Sequence, residues 1–288
     1  MNTVEKARRL ASDHRMWNPY FRWLLSKLLL RRPPLLRLAE GAALGNWISF
    51  SEYYSFQNAI PKRERLLLQR HLCDKPSSVA VDIGANIGAF TCLLSALGCR
   101  EVHAFEPIPE TFCRLKANVA ANRLLEKCRL NCLAVGRENG LVTFQIQANS
   151  PATNRLFSPK LGHRAPPAAL QTVASVRLDD YCREAGVEHI DFLKIDVEGM
   201  EPYVLGGAQR LLGEKRVKAV LIEVCPTNLR AAGLSPEILY DSIIGSGYSP
   251  FALLEDGTAG CRLSVGDLKA FVLENILLLP AEDPRFCR

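Results

Sequence analysis

Residues 79–88 read VAVDIGANIG, and this stretch decides the fold. Its first part, Val79–Ile83, is a short apolar run broken only by Asp82, which is typical of a strand buried on both faces of a parallel sheet. The turn Gly84-Ala85-Asn86-Ile87-Gly88 follows and opens a helix. Glycine lets the backbone turn sharply and lets a ligand approach closely, while a helix start presents free N–H groups. The stretch therefore predicts a loop that binds a nucleotide-type cofactor.

A second predicted strand narrows the choice of cofactor. It spans residues 100–106 and ends on Glu106, about 20 residues after the glycine turn, where such folds hold an acid that binds ribose hydroxyls. NAD and S-adenosylmethionine both carry this ribose. NAD-binding turns read G-x-G-x-x-G, whereas this turn reads D-x-G-x-N-x-G with Asn86 in the middle, where Asn can adopt a left-handed backbone. The pattern resembles the first motif of class I S-adenosylmethionine-dependent methyltransferases.

Strands and helices alternate through residues 61–288, which we predict to be one domain. Apolar runs predict core strands at 79–83, 100–106, 128–135, 190–196, 217–224, 248–254 and 271–279, with added strands at 140–147 and 173–178. This order predicts an α/β, Rossmann-like, doubly wound and mostly parallel seven-stranded sheet with an antiparallel last strand. Ligands bind at the carboxyl ends of such strands. Four acids are predicted at those ends and define one site: Asp82, Glu106, Asp196 and Glu223.

Residues 1–60 differ from the rest in charge. Residues 1–75 carry 14 Lys+Arg against 6 Asp+Glu, so they account for the overall net charge of +6. We predict a basic, mostly helical N-terminal extension. A helix packed on the domain is favoured over an interfacial helix at Trp17–Leu38, whose apolar runs are too short to span a bilayer. Without a signal peptide or a paired cysteine motif, the expected location is the cytoplasm.

The segment 149–171 interrupts the alternation of strands and helices. It contains four prolines and little periodicity, and a loop of this length inside a compact domain is usually functional or disordered. We expect it to leave near the open end of the sheet and to act as a flap over the acceptor pocket. His163 lies in this flap and is the one histidine expected to reach an acceptor as a base.

Several segments together resemble the FkbM family of methyltransferases. They are VDIGANIG at 81–88, FEP at 105–107, the helix end with Asn118 and Asn122, the Leu178-Asp179-Asp180 step and, most diagnostically, KIDVEGME at 194–201. The resemblance runs from about residue 79 to 254. It implies S-adenosyl-L-methionine as cofactor and O-methylation of a small molecule or a sugar. The cofactor-binding residues it implies are Asp82, Gly84, Ala85, Asn86, Gly88, Glu106, Pro107 and Asp196.

Methyl transfer to an alcohol needs a base as well as correct positioning, because the hydroxyl must lose its proton. Asp196, just past the fourth core strand, is expected near the transferable methyl group, and Glu198 lies two residues further on. Either could accept the proton, with His163 as a third candidate. An alternative is metal-assisted O-methylation, with Mg²⁺ held by Asp196 and Glu223. The metal-free mechanism is favoured because no third ligand is assigned.

Other function classes are less well supported. Nucleic-acid enzymes tend to carry positive charge around the active cleft, whereas residues 76–288 carry a slight excess of acids. The turn after the fourth core strand also lacks the aromatic motif of base-methylating enzymes. We therefore expect a small-molecule or carbohydrate acceptor and no nucleic acid. One remaining alternative is an NAD-dependent oxidoreductase. The other is a non-catalytic binding module, and the retention of both the glycine turn and Glu106 argues against that module.

Overall fold

The structure is a computed structural model of the 288-residue chain. It describes residues 36–37, 43–45, 60–72, 75, 77–146, 155–156 and 170–282. Most of the segment Trp17–Leu38, for which a packed helix is favoured over an interfacial one, most of the predicted flap and His163 lie outside these residues. In the part of the chain that is described, no helix has both the length and the apolar character to cross a membrane.

The helices and strands follow the predicted alternation. The helices are α1 (Lys62–Leu72), α2 (Ala89–Ala96), α3 (Pro109–Ala121), α4 (Leu178–Ala185), α5 (Glu201–Gly207), α6 (Gln209–Gly213), α7 (Pro226–Ala231), α8 (Pro236–Gly245) and α9 (Val265–Ala270). The strands are β1 (Leu36–Arg37), β2 (Ala43–Leu44), β3 (Val79–Ile83), β4 (Glu101–Phe105), β5 (Cys128–Asn131), β6 (Ala134–Val135), β7 (Gly140–Gln145), β8 (Arg155–Leu156), β9 (Leu170–Val176), β10 (Phe192–Ile195), β11 (Val220–Val224), β12 (Tyr248–Leu253), β13 (Ala259–Arg262) and β14 (Glu274–Pro280).

The main sheet has the order β13-β12-β14-β11-β10-β3-β4-β5. Strands β11, β10, β3, β4 and β5 are parallel neighbours, and β14 runs antiparallel to both β11 and β12. The predicted Rossmann-like, mostly parallel sheet is therefore confirmed. It has eight strands rather than the predicted seven, because β12 turns back at residues 255–257 and pairs with β13, where no strand was expected.

The strand predicted at 128–135 is two strands in different sheets. Residues 128–131 form β5, which pairs with β4, whereas β6 pairs in parallel with β9. A second sheet has the order β6-β9-β7-β8. The strands predicted at 140–147 and 173–178 are thus found as β7 and β9, but they belong to this second sheet. The chain leaves the main sheet between Asn131 and Ala134, so the second sheet stands beside the rim where β4 ends.

Apolar side chains cover both faces of the main sheet. Every residue of β3 is buried, as a strand between two helical layers requires. Ala80 faces a cluster that includes residues of α1, α2 and α3, while Val81 faces a cluster that includes residues of α4, α5 and α8. The central parallel strands are therefore held from both sides, and their carboxyl ends form a fixed rim.

Part of the predicted N-terminal extension contacts this core. Its described residues form a short antiparallel pair, β1 with β2, rather than a helix. Leu44 is fully buried. The backbone N–H groups of Ala43 and Gly45 donate to the side-chain oxygens of Asn122 and Asn118 on α3, at 2.7 and 2.9 Å. This part of the extension is therefore packed on the α/β core.

Candidate active site

A cavity of ≈ 600 Å³ lies at the carboxyl ends of the parallel strands. It is bounded by the turn after β3, by the ends of β4, β10 and β11, and by one side of the second sheet. All four acids predicted at the strand ends line it. Gly84, Ala85, Asn86, Pro107 and Glu198 line it as well. Within its described part, the structure therefore brings together every sequence-predicted site residue except Gly88, which lies beside the cavity at the start of α2.

The glycine turn is closed by backbone contacts that leave no room for larger residues. The N–H groups of Gly84 and Ala85 donate to the carbonyl of Phe105, at 3.0 and 2.9 Å. Gly84 has a φ of +80°, and a Cβ there would stand 1.8 Å from the carbonyl oxygen of Asp196. Asn86 and Gly88 also have positive φ angles, of +50° and +96°. Glycine at 84 is thus required both by backbone conformation and by close approach.

Glu106 fastens the turn to the end of β4. Its carboxylate accepts a hydrogen bond from the backbone N–H of Asn86 at 3.1 Å and another from that of Ile108 at 2.9 Å. Burial raises the pKa of Glu106 to about 7, against the lowering effect of these two donors. A carboxylate at the cavity wall with this pKa changes its charge close to neutral pH.

Two buried oxygen atoms at the turn have no partner among the described residues. Asp82 is fully buried and accepts a hydrogen bond from the Thr91 hydroxyl through Oδ2 at 2.6 Å, while its Oδ1 has no hydrogen-bond partner. Burial raises the pKa of Asp82. The side-chain oxygen of Asn86 is likewise buried without a partner. Unsatisfied buried acceptors are costly, so hydrogen-bond donors of a bound ligand would be favoured here.

Asp196 follows β10, directly beside the glycine turn, and is paired with a lysine. Lys194 is only 4% exposed, and its ammonium donates to Asp196 Oδ2 at 2.7 Å. The same ammonium lies 4.6 Å from the centre of the Phe90 ring. Burial acts to lower the pKa of Lys194, but the charges of Asp196 and Asp82 outweigh it and the pKa is raised. Lys194 is therefore a fixed positive charge in the cavity wall.

Glu223 lies at the end of the neighbouring strand β11 and also lines the cavity. Burial, followed by repulsion from Asp196, raises its pKa to about 9, although Lys194 acts in the opposite direction. Burial therefore favours the neutral form of the Glu223 carboxyl, and the charge of Lys194 favours the ionised form. Among the described residues, no group of three His, Cys, Asp or Glu side chains is arranged to hold a metal ion.

The turn after β10 is braced by two glutamates with different environments. Glu198 has a φ of +55° and accepts a hydrogen bond from the Asn228 amide at 2.6 Å, which holds its carboxylate at the cavity. Glu201 is buried and accepts from the backbone N–H groups of Val197 and Gly199, at 3.3 and 3.0 Å. Glu201 therefore closes the turn at the start of α5, while Glu198 remains at the cavity.

The side of the cavity away from the glycine turn is largely apolar. Leu133, Val142 and Phe144 line it from the second sheet and the turn that leads into it. The Arg137 guanidinium lies 5.1 Å from the centre of the Tyr203 ring, and both residues line the cavity. This wall combines flat apolar surface with one exposed cation, which is the composition expected where a second molecule is recognised.

Comparison with known proteins identifies the family. Residues 82–242, more than half of the chain, match the family described as "Methyltransferase FkbM domain". The chain belongs to the FkbM methyltransferase family. The match includes the glycine turn, Glu106 and the 194–201 segment, so the family's shared region contains the rim of acids described above.

Three relatives that this chain resembles are named for different methylation reactions. The 2-O-methyltransferase NoeI of Sinorhizobium fredii is 30% identical over 50% of this chain and 63% of its own length. The 31-O-demethyl-FK506 methyltransferase FkbM of Streptomyces tacrolimicus is 30% identical over 66% of this chain and 80% of its own. The hexuronic acid methyltransferase AglP of Haloferax volcanii is 26% identical over 70% and 79%. The chain thus spans less than two thirds of the first of these relatives and about four fifths of the others.

Several residues of the FkbM-family cavity are not predicted from the sequence. Lys194 belongs to the KIDVEGME motif, but the motif alone assigns it no role. A lysine inside an apolar strand does indicate that it has a buried partner. Phe90 and Thr91, which contact Lys194 and Asp82 respectively, have the pattern of ordinary helix residues. Arg137 and Tyr203 meet only because a turn next to the second sheet faces α5. No sequence periodicity reports such a contact.

Proposed function

We propose that this protein is an S-adenosylmethionine-dependent methyltransferase that methylates a hydroxyl oxygen of a small molecule or a sugar. The observation that carries the proposal is the placement of two carboxylates on one cavity. Glu106 lies on one side of the glycine turn at the end of β4, and Asp196 lies on the other side at the end of β10. One is suited to a ribose and the other to a proton transfer. Family membership and the relatives named for O-methylation support the same function.

The residues present fit this cofactor. Glu106 would accept hydrogen bonds from the ribose hydroxyls, because its carboxylate lines the cavity at the end of β4. The unpartnered oxygens of Asp82 and Asn86 would accept from further donors of the ligand. Glycine at 84 and 88 would keep the helix start in place beside the ligand, because a Cβ at these positions would meet the Asp196 carbonyl and Leu115. Ala85, Pro107 and Asp196 would complete the contact surface.

When bound, the cofactor would supply a methyl group from its sulfonium. The carbon–sulfur bond breaks, and its electron pair stays on sulfur. The chain's own residues would position the acceptor and remove its proton. Asp196 is the proposed base, since its side chain is 31% exposed in the cavity and Lys194 holds one of its oxygens. Glu198, held by Asn228, is placed to orient the hydroxyl or to act as a second base. His163 and the predicted flap at 149–171 remain predictions.

The acceptor would lie against the apolar wall. Val142 and Phe144 offer flat contact for a ring, and Arg137 over Tyr203 offers a hydrogen-bonding cation at the edge. Such a surface suits a ring that carries hydroxyl or acidic substituents. Two of the relatives are named for 31-O-demethyl-FK506 and for a hexuronic acid, so the names within the family already cover different acceptors.

We also propose where this chemistry takes place and how the chain is divided. The buried thiols of Cys92, Cys99 and Cys182 are packed as small apolar groups, which suits a reducing compartment such as the cytoplasm. The burial of Leu44 and the contact of Gly45 with Asn118 support an N-terminal extension, residues 1–60, that packs on the methyltransferase domain at 61–288.

Transfer of a labelled methyl group tests the proposal. The protein is incubated with methyl-labelled S-adenosylmethionine and a panel of methyl glycosides, free uronic acids and hydroxylated macrolides, each paired with its O-methylated counterpart. We expect label in the free hydroxyl compound and none in its blocked partner. Asp196→Asn should still bind cofactor but lose turnover by about 100-fold or more, the usual contribution of a base. Label on nitrogen, or an unchanged rate in Asp196→Asn, would refute the assignment.

A further inference from the structure

A buried ammonium lies where the metal-assisted alternative would place a cation. Lys194 is paired in register with Asp82 of β3 on one side and is the neighbour of Leu221 of β11 on the other. Its ammonium donates to Asp196 and also interacts by charge with Asp82 and Glu223. The two acids that would hold Mg²⁺ in the metal-assisted alternative, Asp196 and Glu223, therefore already share a positive charge.

Burying a lysine at this point of the strand costs free energy. Removing an ammonium from water costs several kcal/mol, which only close hydrogen bonds and charges offset. The neighbours Leu193 and Ile195 are fully buried apolar residues, and a methionine would fill the same space without that cost. Four residues that compensate the charge of Lys194 line the cavity: Asp82, Phe90, Asp196 and Glu223. Glu64 of α1, which does not line the cavity, also interacts with Lys194 by charge.

A divalent metal does not fit this arrangement. Mg²⁺ requires several oxygen ligands at about 2.1 Å in octahedral geometry. Asp196 Oδ2 is instead 2.7 Å from the Lys194 nitrogen, and a dication beside that ammonium would be repelled. Asp196 and Glu223 could bind a metal only if Lys194 moved or lost its proton.

We propose that the Lys194 ammonium is the built-in cation of this site and replaces a divalent metal in positioning Asp196. The inference rests on the proposed methyl transfer. Lys194 holds Asp196 Oδ2, so the other carboxylate oxygen faces the acceptor and takes its hydroxyl proton as the new O–C bond forms. The proton then passes from Asp196 to solvent, and Lys194 keeps its own protons throughout. Lys194 is thus a positioning residue that acts through Asp196.

The test compares Lys194→Ala with Lys194→Arg and with a matched control. The control is Lys218→Ala, because Lys218 also forms an ion pair with an aspartate, Asp191, near the amino end of β10. Turnover is measured with the best acceptor of the panel above, and cofactor affinity is measured by calorimetry. We expect Lys194→Ala to lower kcat by about 100-fold or more, with the acceptor KM changed by less than about threefold. Lys194→Arg should retain more activity than Lys194→Ala, and Lys218→Ala should match the wild type.

Two further experiments test whether Lys194 acts through its positive charge or only by filling space. Ethylammonium, which matches the end of the deleted side chain, should restore about 10-fold of the lost rate in Lys194→Ala but not in Lys194→Met, where the space is filled. Wild-type turnover should be unaffected by EDTA, and Mn²⁺ should not bind the wild type in calorimetry or paramagnetic resonance titrations. Loss of rate without amine rescue, or EDTA inhibition reversed by Mg²⁺, would overturn the inference.

The outcomes also separate this inference from the proposed function. A wild type that binds cofactor but labels no acceptor overturns both. A wild type that transfers methyl groups while Lys194→Ala keeps its kcat overturns the role of Lys194 alone. If Lys194→Ala does not fold, Lys194→Arg and Lys194→Gln replace it. Equal kcat in these two variants would contradict a role for the charge.

Discussion

The two sides of the cavity are built in different ways. The side proposed for the cofactor, called the cofactor side below, is formed by the ends of β3, β4 and β10. These are adjacent parallel strands in register, so that Ile83 is paired with both Phe105 and Ile195. The side proposed for the acceptor, which Leu133, Val142 and Phe144 line and which is called the acceptor side below, comes from a separate sheet. In that sheet β6 pairs with β9, some 40 residues away in the chain. Fixed strand ends hold the first side, whereas the second can change its side chains without disturbing the main sheet. This difference agrees with the names of the relatives, which refer to different acceptors.

The largest expected effect is on the cofactor side, at Gly84. In Gly84→Ala, the new Cβ would meet the Asp196 carbonyl at 1.8 Å, so the turn and the end of β10 must move apart. We expect S-adenosylmethionine binding to weaken by about 100-fold or more, equivalent to ~2.7 kcal/mol. Gly98→Ala is the matched control in calorimetry, because Gly98 also has a positive φ, of +99°, but nothing lies within 4 Å of its Cβ position. Equal affinities in the two variants would show that the turn is not part of the site.

Substitution of Glu106 tests how much a negative charge on the cofactor side contributes to cofactor affinity. Glu106→Ala should weaken S-adenosylmethionine binding by roughly 1.5–3 kcal/mol, because charge-assisted hydrogen bonds to the ribose are lost. The wild-type affinity should also fall as the pH drops through about 7, since burial raises the pKa of Glu106 to that value and the protonated carboxyl accepts more weakly. Glu106→Gln, which keeps the shape, should lose this pH dependence. A pH dependence that persists in Glu106→Gln would belong to another group.

A substitution on the acceptor side should change the acceptor KM and leave cofactor affinity unchanged. Phe144→Ala removes a ring from the apolar wall and should raise the acceptor KM by about 10-fold, while cofactor affinity stays within about twofold. Leu141→Ala is the control on the same strand, since Leu141 is 77% exposed and does not line the cavity. A change of cofactor affinity in Phe144→Ala would show that the two sides are not independent.

The same contrast explains what could be predicted from the sequence. The turn after β3 and the acids at the strand ends belong to short local patterns, so the prediction that Asp82, Glu106 and Asp196 share one cavity is confirmed. The break after Asn131 could not be read from the sequence, because residues 128–135 are consistent with one strand. Only the pairing of β6 with β9 requires the chain to leave the main sheet there.

Lys194 illustrates a second limit of prediction from sequence. Its hydrogen-bond partner Asp196 is only two residues away, but its position in an apolar strand does not reveal a second partner by charge, Asp82, which lies more than 100 residues away in the chain. This second partner follows only from the strand order β10-β3 and the register that places Lys194 beside Asp82. The strand order therefore shows that Lys194 lies next to an acid of the site, which the sequence alone does not show.

The measurement that tests the central claim most directly is a calorimetric titration of the full chain with three ligands. S-adenosylmethionine, S-adenosylhomocysteine and NAD all carry an adenine ribose, but only the first two match the D-x-G-x-N-x-G turn that Glu106 closes. We expect micromolar affinity for S-adenosylmethionine and its demethylated product, and no detectable binding of NAD. Binding of NAD with comparable affinity, or of none of the three, would contradict the account.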